Sequence, residues 1–93
     1  MELKETIELM CSDDYKERFK AEYYQLKIRY EKLKNFCNKI EASYRDENGK
    51  VKEPKHDCPL SLLKDQRNEM EELLHTLEVR AVIEHIKLKK DTH

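Results

Sequence analysis

Tyrosines and arginines are the residues of this chain whose types and spacing could do chemistry. Tyr15, Tyr23 and Tyr30 fall close to one side of any helix that carries them, and Tyr24 lies about 100° round from Tyr23. Arg18, Lys27 and Arg29 are interleaved with them. Aromatic faces stack on nucleobases, and guanidinium forks grip phosphate through paired hydrogen bonds. Arg67 and Arg80 interrupt apolar stretches further along and offer two more forks. Tyr15, Arg18, Tyr23, Tyr24, Arg29, Arg67 and Arg80 are therefore the expected ligand-binding set, and the expected ligand is a nucleotide-type anion. The competing reading is a core built with tyrosine, its hydroxyls reaching water at the rim.

Nothing in the chain predicts catalysis. The one glycine, Gly49, rules out a Gly-rich phosphate loop, and there is no H-E-x-x-H, no G-x-S-x-G and no thiol–imidazole pair fixed by spacing. His56 and Cys58 flank Asp57, but two ligands at that spacing make a weak metal signal and surface placement is expected. His75 and His85 stand ten residues apart, too far for joint ligation on one helix. The expectation is no enzyme, no metal and no cofactor.

These side chains must be positioned by helices. Phe19, Tyr23, Leu26, Tyr30, Leu33, Cys37, Ile40 and Tyr44 alternate in steps of four and three, a heptad seam that needs a partner helix. Residues 15–44 also hold all five tyrosines and both phenylalanines. Asp14 with Glu17 has capping-box spacing, inside the helix-start cluster Ser12-Asp13-Asp14. The expected first long helix runs from about 14 to 44. A polar loop follows over about 45–57, with a turn at Asn48-Gly49, a break at Pro54 and Val51 on the surface. The second long helix is expected from about 58 to 89, with Pro59 in its first turn and Lys87, Lys89 and Lys90 answering its C-terminal dipole. Its seam runs Leu60, Leu63, Arg67, Met70, Leu74, Leu77, Ala81, Glu84, Leu88, and a parallel row from Leu63 meets Gln66 and Arg80. Arg80 can pair with Glu84, and Arg67 with Glu71, each four residues on. A short amphipathic helix over about 2–10 presents Leu3, Ile7 and Met10, with Leu9 beside them, and is too short to stand undocked.

The fold class expected is all-α: one domain over 1–93, an antiparallel two-helix hairpin with a short N-terminal helix. The two long helices are expected to match in length. With 38% apolar and 42% charged residues in 93, the core is small, and assembly into a helical homo-oligomer is the ordinary remedy. Residues 2–10 are expected to dock on a neighbouring hairpin.

Net charge is −1, which speaks against a general nucleic-acid binder. Its distribution is uneven: residues 1–14 carry −4 and residues 15–45 carry +5. The aromatic helix is thus also the basic one, which suits either an anion site or a solvated face answering an acidic neighbour. No stretch approaches a membrane span, and Met-Glu-Leu-Lys-Glu is no signal peptide, so a cytoplasmic protein is expected. Cys11, Cys37 and Cys58 are odd in number and lack C-x-x-C spacing, so free thiols are expected, with Cys37 a small hydrophobe on the seam.

The run Asp14-Tyr-Lys-Glu-Arg-Phe-Lys-Ala-Glu-Tyr-Tyr-Gln-Leu-Lys-Ile-Arg-Tyr-Glu-Lys-Leu33 carries a resemblance, with Cys58-Pro-Leu-Ser-Leu-Leu63 and Leu77-Glu-Val-Arg-Ala-Val-Ile-Glu84. Over most of residues 13–86 the chain resembles a family of small, largely uncharacterised proteins from phages and prophages of gut Firmicutes, related to a small protein of crAss-like phages. That resemblance implies a phage origin and the cytoplasm of an infected bacterial host. A looser likeness, of size and architecture, is to the helical-hairpin sponge proteins of phages, which oligomerise and sequester cyclic nucleotides or ADP-ribose-type signals to silence CBASS or Thoeris defence. It implies an anti-defence protein whose partners are itself and a nucleotide-derived signalling molecule. The alternative expectation is a helical protein–protein interaction or assembly module with no small-molecule ligand.

Overall fold

The computed structural model describes residues 2–10 and 14–88. Cys11, Ser12, Asp13, Lys89 and Lys90 lie outside the described residues, as do the side chains of Leu9 and Met10. Three helices follow one another: α1 (Leu3–Met10), α2 (Tyr15–Arg45) and α3 (Leu60–Ile83). No strand occurs among the described residues. The pairs Tyr23–Glu78 and Glu41–Lys64 join α2 to α3 in opposite directions, so the two long helices form an antiparallel hairpin.

Asp14 starts α2. Its backbone is extended and its carboxylate accepts the Lys16 N–H at 3.0 Å, satisfying one of the helix's free donors. Glu17 in the first turn suits the dipole. Beyond Arg45 the carboxylate of Asp46 takes over, accepting the N–H groups of Asn48 (3.1 Å), Lys50 (2.7 Å) and Val51 (2.7 Å). Gly49 sits in the left-handed region at φ 66°, the conformation an Asn-Gly turn supplies without a Cβ penalty. These bonds hold the Asp46 carboxyl below its ordinary range, the Val51 N–H contributing most.

Helix α3 is shorter than the sequence suggests at both ends. It begins at Leu60, because Pro59 is extended and serves as the cap, its carbonyl accepting the N–H groups of Leu62 and Leu63. It ends at Ile83 rather than near residue 89. His85 turns into the left-handed region (φ 58°), its N–H reaches the Val82 carbonyl at 3.4 Å, and the Ile86 N–H reaches the Ala81 carbonyl at 2.8 Å. That pair of bonds is a Schellman stop, here without glycine. The expected equality of the two helices therefore does not hold: α2 spans about 46 Å and α3 about 36 Å at 1.5 Å per residue. Replacing His85 with Gly should raise stability by about 1 kcal/mol by removing the Cβ penalty of the left-handed position. Chemical denaturation compared with the parent chain checks this.

The main core lies between α2 and α3 toward the end where the termini of the hairpin meet. Phe19, Tyr23, Tyr24, Leu74, Leu77, Ala81 and Ile86 are buried together, with Leu26, Tyr30 and Leu88 packed against them. Ile86 belongs to this cluster although it lies past the helix, because the Schellman turn swings it back. Cys37 and Ile40 are fully buried further along α2, so Cys37 is the small hydrophobe its position implied. Arg67 does not pair with Glu71. It donates to Asn68 Oδ1 at 3.3–3.4 Å.

Helix α1 packs against α2 of its own chain, whereas the sequence suggested a neighbouring hairpin. Thr6 is fully buried: its hydroxyl donates to the Leu3 carbonyl at 2.5 Å and accepts from Gln25 Nε2 at 2.9 Å. Ile7 is 58% exposed and Leu3 37%. Among the described residues α1 and α3 share no packing, and no helix is long and apolar enough to cross a membrane.

Candidate functional site

The antiparallel hairpin brings the first turns of α2 against the last turns of α3. At this open end Arg80 lays its guanidinium over the Phe19 ring, 4.9 Å from the centroid. Aromatic faces attract cations and hold guanidinium planes in place. The Arg80 fork is engaged by Glu84, with Nε to Oε2 at 2.8 Å and Nη2 to Oε1 at 3.4 Å. Glu84 is itself fixed as the C-cap of α3, its N–H bonded to the Arg80 carbonyl. The hydrogen bonding to Glu84 pushes the Arg80 pKa up against a burial penalty, with lesser support from the charges of Glu84, Glu22 and Tyr15. Tyr15, half exposed at 49%, stands at the same corner.

The seven candidate residues do not form one site within a chain. Tyr15, Arg18 and Arg80 share the open end, with Arg18 exposed one turn along from Tyr15. Tyr23 and Tyr24 lie in the core at 3% and 6% exposure, edge to face with ring centroids 5.4 Å apart. The Tyr23 hydroxyl donates to Glu78 Oε2 at 2.7 Å, and Lys27 Nζ stands 6.0 Å from its ring centroid. These two tyrosines belong to the same buried cluster as Phe19. Arg29 is exposed along the middle of α2, and Arg67 lies toward the opposite end, where its charge reaches Glu41.

Two features escaped the sequence. Phe19 counted as a seam residue, yet its ring also seats the Arg80 guanidinium. The second is a lock on the connecting loop. Glu53 accepts the Tyr44 hydroxyl and the Nε2–H of His56 (3.0 Å), while His56 Nδ1–H donates to the Cys58 carbonyl at 2.6 Å. Phe36 meets the imidazole edge-on at 6.3 Å. Both ring nitrogens face acceptors, so the ring that satisfies both is the imidazolium. No periodic pattern announces such a contact. Among the described residues no group of three or more His, Cys, Asp or Glu could hold a metal ion.

The lock is pH-dependent by construction. Glu53 raises the His56 pKa above 6.5, helped by the Cys58 carbonyl. Tyr44, then His56, lower the Glu53 pKa below 4.5. The His56 contribution is full below 6.5 and is lost as pH rises through the raised value. The Glu53 contribution is full above 4.5 and is lost as pH falls through the lowered value. The loop should hold best between the two and loosen on the alkaline side. An NMR titration of the His56 ring, with amide exchange over residues 46–58, checks this, and His56→Asn should remove the alkaline step.

An all-α hairpin whose open end seats the Arg80 guanidinium on Phe19, with Tyr15 half exposed at the same corner, defines a small helical protein. The chain belongs to the Sequestin family, whose model matches residues 13–83. No curated protein and no solved structure matches it.

Proposed function

We propose that this protein is a phage-encoded anti-defence sponge, which captures a nucleotide-type signal, a cyclic nucleotide or ADP-ribose derivative, between protomers of a homo-oligomer. The family name denotes sequestering. The observation that carries the ligand class is the open-end corner, where an exposed tyrosine stands beside an arginine seated on an aromatic ring. A base stacks on Tyr15, and the phosphate takes the Arg80 fork in place of the Glu84 carboxylate. Arg18 adds positive charge to the same corner. Arg29 and Arg67 reach the ligand only from a neighbouring copy. The phage-infected cytoplasm is where such a signal is met. No bond of the ligand is broken in this scheme: capture lowers the free concentration of the signal and needs no catalytic group.

Calorimetric titration with a panel of cyclic dinucleotides and ADP-ribose derivatives tests the reading. Arg80→Met should leave the melting temperature within a few degrees of the parent and weaken capture by about 30- to 1,000-fold, the equivalent of about 2–4 kcal/mol for a lost two-point charged contact. A wild-type protein that binds none of the panel would overturn it. The second reading is an assembly module without a small ligand. It is favoured by Leu73, Val79, Val82 and Ile83, apolar side chains 46–76% exposed on α3.

A further inference from the structure

We infer that the outward face of α3 docks a basic amphipathic helix of another protein, one with aliphatic residues toward one end and Lys or Arg toward the other. None of the residues involved belongs to the Tyr15–Arg80 corner, so the surface is independent of the sponge reading.

Helix α3 carries two kinds of side chain on that face. At about 100° per residue, Glu71, Glu72, His75, Val79, Val82 and Ile83 fall within about 120° of one another, away from the buried row Leu74, Leu77 and Ala81. Val82 and Ile83 are 76% and 70% exposed, the most exposed large apolar side chains among the described residues. Toward the N-terminal half the same face turns acidic. From Asn68 to Val79 the helix has four glutamates, Glu69, Glu71, Glu72 and Glu78, and no lysine or arginine. Glu78 accepts the Tyr23 hydroxyl, while no ion pair engages Glu71 or Glu72 among the described residues. Together with His75 these two line a shallow hollow on the helix surface.

The face thus has an apolar end and an acidic end, and an occupant must match both. Glu71 and Val82 stand about 16 Å apart along the helix axis, a span of about three to four turns for a partner helix. Laid along α3, the partner covers Val79, Val82 and Ile83 with its aliphatic side chains and sets its bases against Glu71 and Glu72. Apolar burial supplies affinity, and the charge pairs fix direction.

The chain does not offer that complement from its own helices. Helix α1 is itself acidic, with two Glu against one Lys within Leu3–Met10. The exposed large apolar side chains of α2 are Tyr15 and Tyr44 at its two ends, with no aliphatic row between them. A second α3 laid parallel sets acid against acid, and laid antiparallel sets Val82 against Glu71. The charges therefore select a different protein as the occupant rather than a second copy.

The test uses the full chain and three fluorescein-labelled peptides of about 16 residues, long enough to span the face. One is an amphipathic helix with leucines over one half and lysines over the other. The second has Glu in place of Lys, and the third has the first peptide's composition shuffled so that no apolar face forms. Fluorescence anisotropy gives the affinities, and heteronuclear NMR of the labelled chain locates the contact. The leucine–lysine peptide should bind at least about tenfold tighter than the shuffled one and shift the signals of residues 71–83. Val82→Asp and the double variant Glu71→Lys/Glu72→Lys should each weaken it at least about tenfold, and the double variant should gain affinity for the glutamate peptide. Glu47→Lys, in the connecting loop, should change binding by less than about twofold. All four positions are exposed, and circular dichroism confirms that each variant keeps its helices. Equal binding of the shuffled peptide, shifts confined to other residues, or a Glu47→Lys effect as large as that of the double variant overturns the inference. So does a Val82→Asp chain that loses self-association of the parent in sedimentation velocity, because the face then belongs to a second copy.

Discussion

Replacing Tyr23 with Ala is expected to cost about 3–4 kcal/mol, most of the stability such a chain possesses. Large buried aromatics truncated to Ala lose about 3–5 kcal/mol, and a domain of this size has only about 5–15 in total. Tyr23 is 3% exposed and belongs to the buried cluster with Phe19, Leu74 and Leu77. Its partner Glu78 is exposed and regains water when the phenol is gone, which keeps the figure below the top of the range. A melting temperature lowered by roughly 12–30 °C is the corresponding readout. Tyr23→Phe separates packing from hydrogen bonding, since it removes only the bond to Glu78 and should cost about 1 kcal/mol. A Tyr23→Ala loss below about 1 kcal/mol would show that the ring is not core and return it to the ligand-facing surface.

The second large effect is expected from Ile86→Ala, at about 2–3 kcal/mol. Ile86 is 6% exposed and lies outside any helix, so its burial depends on the Schellman turn at Glu84 and His85. Truncation removes the apolar anchor, and an edge position can partly collapse into the space, which places the loss at the low end of aliphatic deletions. Urea denaturation measures the free energy. Amide exchange at Ile86 and at Glu84 shows whether the turn opens with it. An unaltered free energy would mean that the segment after α3 does not contribute to the core.

The hairpin was legible because its causes are local and periodic. A four-three apolar walk specifies a long helix with one buried face, Asp14 marks its start, and Asn48-Gly49 marks a turn. The end of α3 was not legible, because its Schellman stop uses His85 where glycine is the usual signal, while Ile86 and Leu88 continue the apolar rhythm. The bond that seats α1 was not legible either: Thr6 is a polar residue, and its burial against Gln25 depends on α2 being in place. At the site, the type of residue was informative and the depth was not. A tyrosine at a seam position and one at a ligand face look alike in sequence, and here Tyr23 and Tyr24 went inside while Tyr15 stayed at the surface. Pairing of Arg80 with Glu84 was open from their spacing; that Phe19 would carry the guanidinium needed the second helix in place.

The clasped loop has a kinetic meaning. Closing a free loop costs chain entropy before any contact between the helices can repay it. Here Asp46 ties residues 48–51 to the end of α2, and Glu53 with His56 ties the remainder to Tyr44 and Cys58, so the segment behaves as two stiff links. Bringing α2 and α3 together across that segment therefore costs less chain entropy than a free segment of the same length would. The buried cluster of Phe19, Tyr23, Leu74 and Leu77 lies at the opposite end, so the hairpin is held at both of its ends, by a tied loop at one and by side-chain packing at the other.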